Sequence, residues 1–248
     1  MITHGKLDLT ERPPFTPSTM RLDRFLTRCG THPCKEVARL LADRRIRVDG
    51  VVETSGLRRI SRFSQVELDS EILQGHEAVY LILHKLAGYL SATTDPLHPT
   101  VMELIDHPLR DELHLAGRLD RASTGLLLLT NDGRWSKRVT EPLEEISKIY
   151  RVTTRDEISS ETAAIFAAGI YFAYEDLTTR PALLEILADR EALLTIHEGR
   201  YHQVKRMFHA VGNQVLGLHR ESIGPLTLDG LSPGSFRHLS ETEVAAFR

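Results

Sequence analysis

Cysteine is almost missing from this 248-residue chain: Cys29 and Cys34 are the only two. A fold stapled by disulfides is therefore excluded, and the lone CxxxxC spacing reads as a pair of reduced thiols. No apolar run approaches the roughly 18 residues that a membrane span requires. The polar start Met1 to Leu9 has no signal-peptide core, so the cytosol is the expected location. HExxH, paired CxxC and Asp-rich loop patterns are missing too, so the sequence supports no metal or nucleotide cofactor, and none is expected. The twelve histidines receive no individual assignment.

What is present is ordinary in bulk and uneven in distribution. Hydrophobic residues make up 41% and charged residues 26%, the balance of a globular protein with room for one large domain, or a large and a small one. The net charge of −3 conceals an asymmetry. Met20 to Val66 holds eleven Lys or Arg against five acids, a surplus of +6 that leaves −9 on the remainder. Such an imbalance is the electrostatic footprint of a small nucleic-acid-contacting module joined to a larger acidic body. Phe25 and Phe63 are its only Phe, Tyr or Trp rings, which argues for phosphate contacts on structured RNA rather than single-strand stacking.

Residues 1–19, with Pro13, Pro14 and Pro17, read as a flexible lead. Leu22, Phe25 and Leu26 then mark one face of a short helix ending near Gly30. Val37, Leu40 and Leu41 repeat that spacing on a second helix opening at Pro33. Ile46 to Val52 alternates through Asp49-Gly50, a two-residue hairpin signal. Residues 69–77 are polar and without period, and are taken as a linker between a module at 20–68 and a domain at 78–248.

In the larger domain the pivotal stretch is Leu115 to Gly133, LAGRLDRASTGLLLLTNDG. Leu126 to Leu129, with turn residues behind them, read as a strand buried on both faces. Arg118 and Asp120 stand at its lip, two apart, where extended chain would let them meet. A cation beside a carboxylate favours the ionised form that a nucleophile or a base needs. The bland alternative is a surface ion pair. Elsewhere Ala78 to His84, Ile146 to Thr154, Ala182 to Leu187, Ala192 to Ile196 and Val215 to Arg220 read as strands. Arg134 to Val139 reads as a helical turn or two stopped by Pro142, and Ser159 to Ala168 as a helix capped by Gly169. Glu198 to Gly212 carries Val204, Met207, Phe208 and Val211 at helical spacing, with Arg200 and His202 crowding its start, an arrangement that makes a phosphate site.

The string GRLDRASTGLLLLTNDG resembles the signature of the pseudouridine synthases, and in its details the RsuA-type branch. The resemblance implies an α+β catalytic domain with a central mixed, mainly antiparallel sheet flanked by helices. It implies that Asp120 carries the chemistry on a flipped-out uridine, that Tyr150 of Lys148-Ile149-Tyr150 lies against the base, and that Lys205, with Arg206 second, pairs with Asp120. Arg118, Lys85, Arg200, Arg220 and Leu218, the last beneath the uridine, complete the expected substrate site. RLDRFL at Arg21 to Leu26 and IRVDG at Ile46 to Gly50 resemble the S4 RNA-binding domain, with Arg21, Arg24, Lys35, Arg39 and Arg47 as its expected RNA contacts. The implied substrate is ribosomal RNA, most specifically uridine 516 of 16S RNA or of a pre-ribosomal small subunit, with large-subunit RNA as the alternative within the family. A non-catalytic assembly factor is the competing class. A monomer is expected, since no heptad or exposed apolar stripe is visible.

Overall fold

The computed structural model describes residues 19–29, 33–141 and 146–247, and the chain divides into two compact units after Ala78. The proposed lead at 1–19, apart from its last residue, the helix end at Gly30 and the stop at Pro142 lie outside the described residues.

In the first unit, helices α1 (Leu22–Arg28) and α2 (Cys34–Ala42) pack onto a small antiparallel sheet. That sheet comprises β1 (Ile46–Val48), β2 (Val51–Val52), β3 (Val66–Leu68) and β4 (Glu71–Gln74), in the order β2-β1-β3-β4. The core is made of Leu22 and Leu26 from α1 and Val37, Leu40 and Leu41 from α2, closed by Ile46, Val48, Ile60 and Val66; Phe25, the third residue of the α1 spacing, is only half-buried against it. Asp49 and Gly50 both take positive φ, the turn that an Asp-Gly hairpin needs. The linker reading is corrected at its centre. Residues Asp69 and Ser70, both at positive φ, make a second tight turn, and Glu71–Gln74 returns as a strand against β3. Ile72 is 62% exposed there, so no buried alternation marks this strand in the sequence.

The second unit is built on one nine-stranded sheet. Its main path runs β8 (Leu183–Ala188), β9 (Glu191–Ile196), β7 (Lys148–Thr154), β10 (Val215–Ile223), β6 (Thr124–Thr130), β5 (Tyr80–Lys85) and β11 (Phe236–His238). All neighbours along that path are antiparallel except β6 and β10, which run parallel. The sheet is thus mixed and mainly antiparallel. The four leucines of β6 divide by alternation. Leu126 and Leu128 enter a cluster with Trp135, Val139 and Ile223, whereas Leu127 and Leu129 enter another with Leu81, Leu83 and Val101.

The parallel junction of β6 and β10 requires glycine. Gly125 lies opposite Arg220 at φ +107°, and a Cβ there would stand 2.3 Å from the Arg220 carbonyl oxygen. No residue with a side chain fits. Helices α3 (Gly133–Thr140), α4 (Thr162–Ala168), α5 (Gln203–Ala210) and α6 (Glu241–Ala245) complete the unit. Helix α3 opens on the Asp132 carboxylate, which accepts from the Arg134 and Trp135 amides. The Trp135 indole, fully buried, donates to the Val244 carbonyl and ties α3 to α6.

Candidate active site

Asp120 sits on a loop pinned from several directions before β6 begins. The Ser91 hydroxyl accepts from the Leu119 amide at 3.0 Å and donates to the Leu119 carbonyl at 2.7 Å. The Ser123 amide donates to the Asp120 carbonyl, closing a turn. Beneath it the fully buried Lys85 ammonium donates to the carbonyls of Leu86, Arg121 and Ser123 at 2.9, 3.3 and 2.8 Å. Burial pushes that ammonium down to about 8, Asp120 opposing the shift and Arg220 adding to it.

The Asp120 carboxylate is gripped at both oxygens. Lys205 Nζ stands 2.7 Å from Oδ2, and His202 Nε2 stands 3.2 Å from Oδ1. Both partners come from one turn: His202 at φ +50° precedes α5, and Lys205 lies in its first turn. Helix α5 starts at Gln203 rather than Glu198, because Glu198, 4% exposed, is held by the Gln203 amide and the Arg200 guanidinium. Tyr150, on β7, is 6% exposed. Its hydroxyl is 3.4 Å from Arg220 Nη1.

These groups converge on a cleft of about 150 Å³ whose lining includes Asp120, Tyr150, Lys205, Arg118, Leu218 and Arg220. A cavity of roughly that size accepts one six-membered ring. Arg200 and Lys148 line it as well, so Asp120 is the one acid of the described lining against five Lys or Arg. Burial first, and Arg220 second, push the Lys148 ammonium down to about 8. The cleft suits a small ring carried on an anionic backbone.

Three sequence-based placements differ. Arg118 lines the cleft but forms no ion pair with Asp120 among the described residues; the Asp120 oxygens are taken by Lys205 and His202 instead. Arg206 does not line the cleft: its guanidinium forks onto Glu175 and lies 3.7 Å from the Phe172 ring centroid. Lys85 supports the Asp120 loop from within rather than lining the cleft. Ser91 and Ser123 were not expected from sequence, while His202, read there only as part of a phosphate site, pairs with Asp120, and Lys148, read there only as part of the Tyr150 motif, lines the cleft. The i, i+3 spacing of His202 and Lys205 could have signalled the His202 pairing. Ser91 acts on backbone atoms 28 positions away, for which sequence holds no signal.

Comparison with known proteins places this geometry. Residues 79–210 match the family model described as RNA pseudouridylate synthase. The ribosomal small subunit pseudouridine synthase A of Pseudomonas aeruginosa is 49% identical over 229 residues, covering 92% of this chain and all of that one. Its namesake from Vibrio cholerae is 46% identical over 228 residues, covering 92% of this chain and 99% of that one. A crystal structure of a pseudouridylate synthase, 38% identical, superposes with a TM-score of 0.67 over 92% of this chain and all of the other. The clefted sheet, the Asp120 loop and these relatives lead to one conclusion: the chain belongs to the RNA pseudouridylate synthase family and is an RNA pseudouridine synthase.

Proposed function

We propose that the protein converts one uridine of small-subunit ribosomal RNA, position 516 of 16S RNA, to pseudouridine, with Asp120 as the catalytic carboxylate. Relatives that carry the small-subunit name over nearly their whole length support the RNA. The observation that carries the chemistry is the Asp120 carboxylate, held by Lys205 at 2.7 Å on the lip of a ring-sized cleft. A uridine within folded RNA must leave its stack to enter, at a cost of a few kcal/mol. Tyr150 and Leu218 then bracket the base, while Arg118 and Arg200 meet the backbone phosphates. The isomerisation breaks the N1 to C1′ bond and remakes it at C5, so it is internally balanced and takes no cofactor.

The first unit serves as the RNA-binding module of S4 type. Arg24, Arg28 and Lys35 are exposed and form no ion pair among the described residues. Arg21 and Arg39 are engaged with Asp23 and Asp43, and Arg47 reaches the Gly50 carbonyl. Replacement of these surface pairings by phosphate is a small exchange. The protein acts as a monomer in the cytoplasm.

The test is to incubate the purified chain with free small-subunit RNA and with partly assembled subunits, then map pseudouridine. The expected product is a single site, formed by the native chain and abolished in Asp120→Asn with RNA affinity retained. Product from Asp120→Asn refutes the role of the carboxylate, and a mark elsewhere refutes the target.

A further inference from the structure

Arg220 is 3% exposed, lines the cleft and is poorly satisfied. Its Nε donates to the Leu126 carbonyl at 2.8 Å, and Nη1 makes only long contacts, to the Arg118 carbonyl at 3.3 Å and the Tyr150 hydroxyl at 3.4 Å. Nη2 is buried with no acceptor among the described residues. The Ser123 hydroxyl, also on the cleft, is buried and unpartnered in the same way. No carboxylate forms an ion pair with Arg220 among the described residues, and Asp120 is already engaged by Lys205 and His202. Lys85 and Lys148 are further positive neighbours. A buried guanidinium facing other cations is strongly unfavourable, and native structures keep such a group where a ligand completes it.

The ligand atom is set by depth. On the function proposed above, backbone phosphates meet the rim and the base enters to the level of the Tyr150 ring, whose centroid is 5.9 Å from the guanidinium carbon. A neutral uracil offers only carbonyl oxygens. When the N1 to C1′ bond breaks, its electron pair leaves with the base, and the resulting negative charge spreads over N1, O2 and O4. After the ring turns, C5 bonds to C1′, the C5 proton is lost, N1 takes up a proton and the base is neutral again.

We infer that the free Nη2 edge of Arg220 stabilises this uracilate as it forms, with the Ser123 hydroxyl donating beside it. The inference rests on the function proposed above and adds a second catalytic residue to it. Because the charge exists only once the bond is breaking, the interaction accelerates the step rather than tightening ground-state binding.

Single-turnover rates of the full chain decide the matter, measured on RNA carrying either uridine or 5-fluorouridine at the target. Fluorine stabilises the uracilate by itself, so it substitutes for part of what Arg220 supplies. Arg220→Gln is expected to slow loss of the N-glycoside by about 100-fold on uridine, with RNA affinity changed far less. On 5-fluorouridine the deficit is expected to shrink to about 10-fold or less. Arg220→Lys, which keeps a displaced charge, should fall between Gln and native and show the same contraction, and it serves alone if the Gln variant does not fold. Equal deficits on the two substrates, the result of a merely structural arginine, overturn the inference, as does native activity in either variant. If Asp120→Asn remains active, the proposed role of Asp120 fails instead, and the comparison at Arg220 is read on its own.

Discussion

Successive residues of an α-helix are rotated by about 100°, so neighbours in sequence need not share a task. Lys205 faces Asp120 and Arg206 faces Glu175, although both are cations and one position apart. Their variants should separate accordingly. On the function proposed above, Lys205→Met is expected to lower turnover by about 100-fold with the fold intact, since the cation that holds the Asp120 carboxylate is lost. Arg206→Ala should leave turnover nearly native and lower the melting temperature by a few degrees, because it removes the Glu175 fork and the contact with Phe172. Turnover on ribosomal RNA and a thermal melt of each variant check both. At this scale sequence was informative where a motif carries the side chain, as with Asp120, Tyr150 and Lys205, which line one cleft. It was uninformative where a side chain acts on distant backbone, as Ser91 does on Leu119 and Lys85 on Ser123.

Among the elements, periodicity carried the reading furthest where burial is strong. The leucine run of β6 and the Val204, Met207 and Phe208 stripe of α5 are both fully in the core, and both were legible. Strand β4 was not, because Glu71 and Ile72 are exposed, Leu73 and Gln74 are only partly buried, and its pairing is made by backbone. Helix α6 offers a test of a different force. Arg237 forks onto Glu243 at 3.0 and 2.8 Å, and the Ser240 amide adds a third bond. Those hydrogen bonds, Arg237 foremost, hold the Glu243 carboxyl down at about 2, against an ordinary 4.5. The folded state therefore binds this proton less readily than the unfolded chain. Its stabilising contribution is complete above about pH 4.5 and is lost as pH falls toward 2. Glu243→Gln should accordingly be less stable than native at neutral pH, with the difference closing between pH 4.5 and 2. Trp135, which bonds to α6, reports the denaturation midpoints by fluorescence.

For the whole molecule, the division of charge into a basic first unit and an acidic remainder has a measurable signature. Each phosphate contact made by Arg or Lys releases counterions, and the logarithm of affinity then falls with the logarithm of salt. Replacing Arg24, Arg28 and Lys35 together by Gln should weaken RNA binding and flatten the salt slope by about two to three units on duplex RNA. Turnover at saturating RNA should change little. An unaltered slope in a filter-binding titration would remove the first unit from the RNA contact.

The absent side chain at Gly125 has one more effect. At that point β6, which follows the Asp120 loop, touches β10, which carries the arginine of the cleft floor, backbone against backbone. Loop and floor therefore have no independent way to loosen. Heat should extinguish catalysis and melt the sheet at one temperature, and amide hydrogens on both sides of the seam should exchange together, only through that same collective opening.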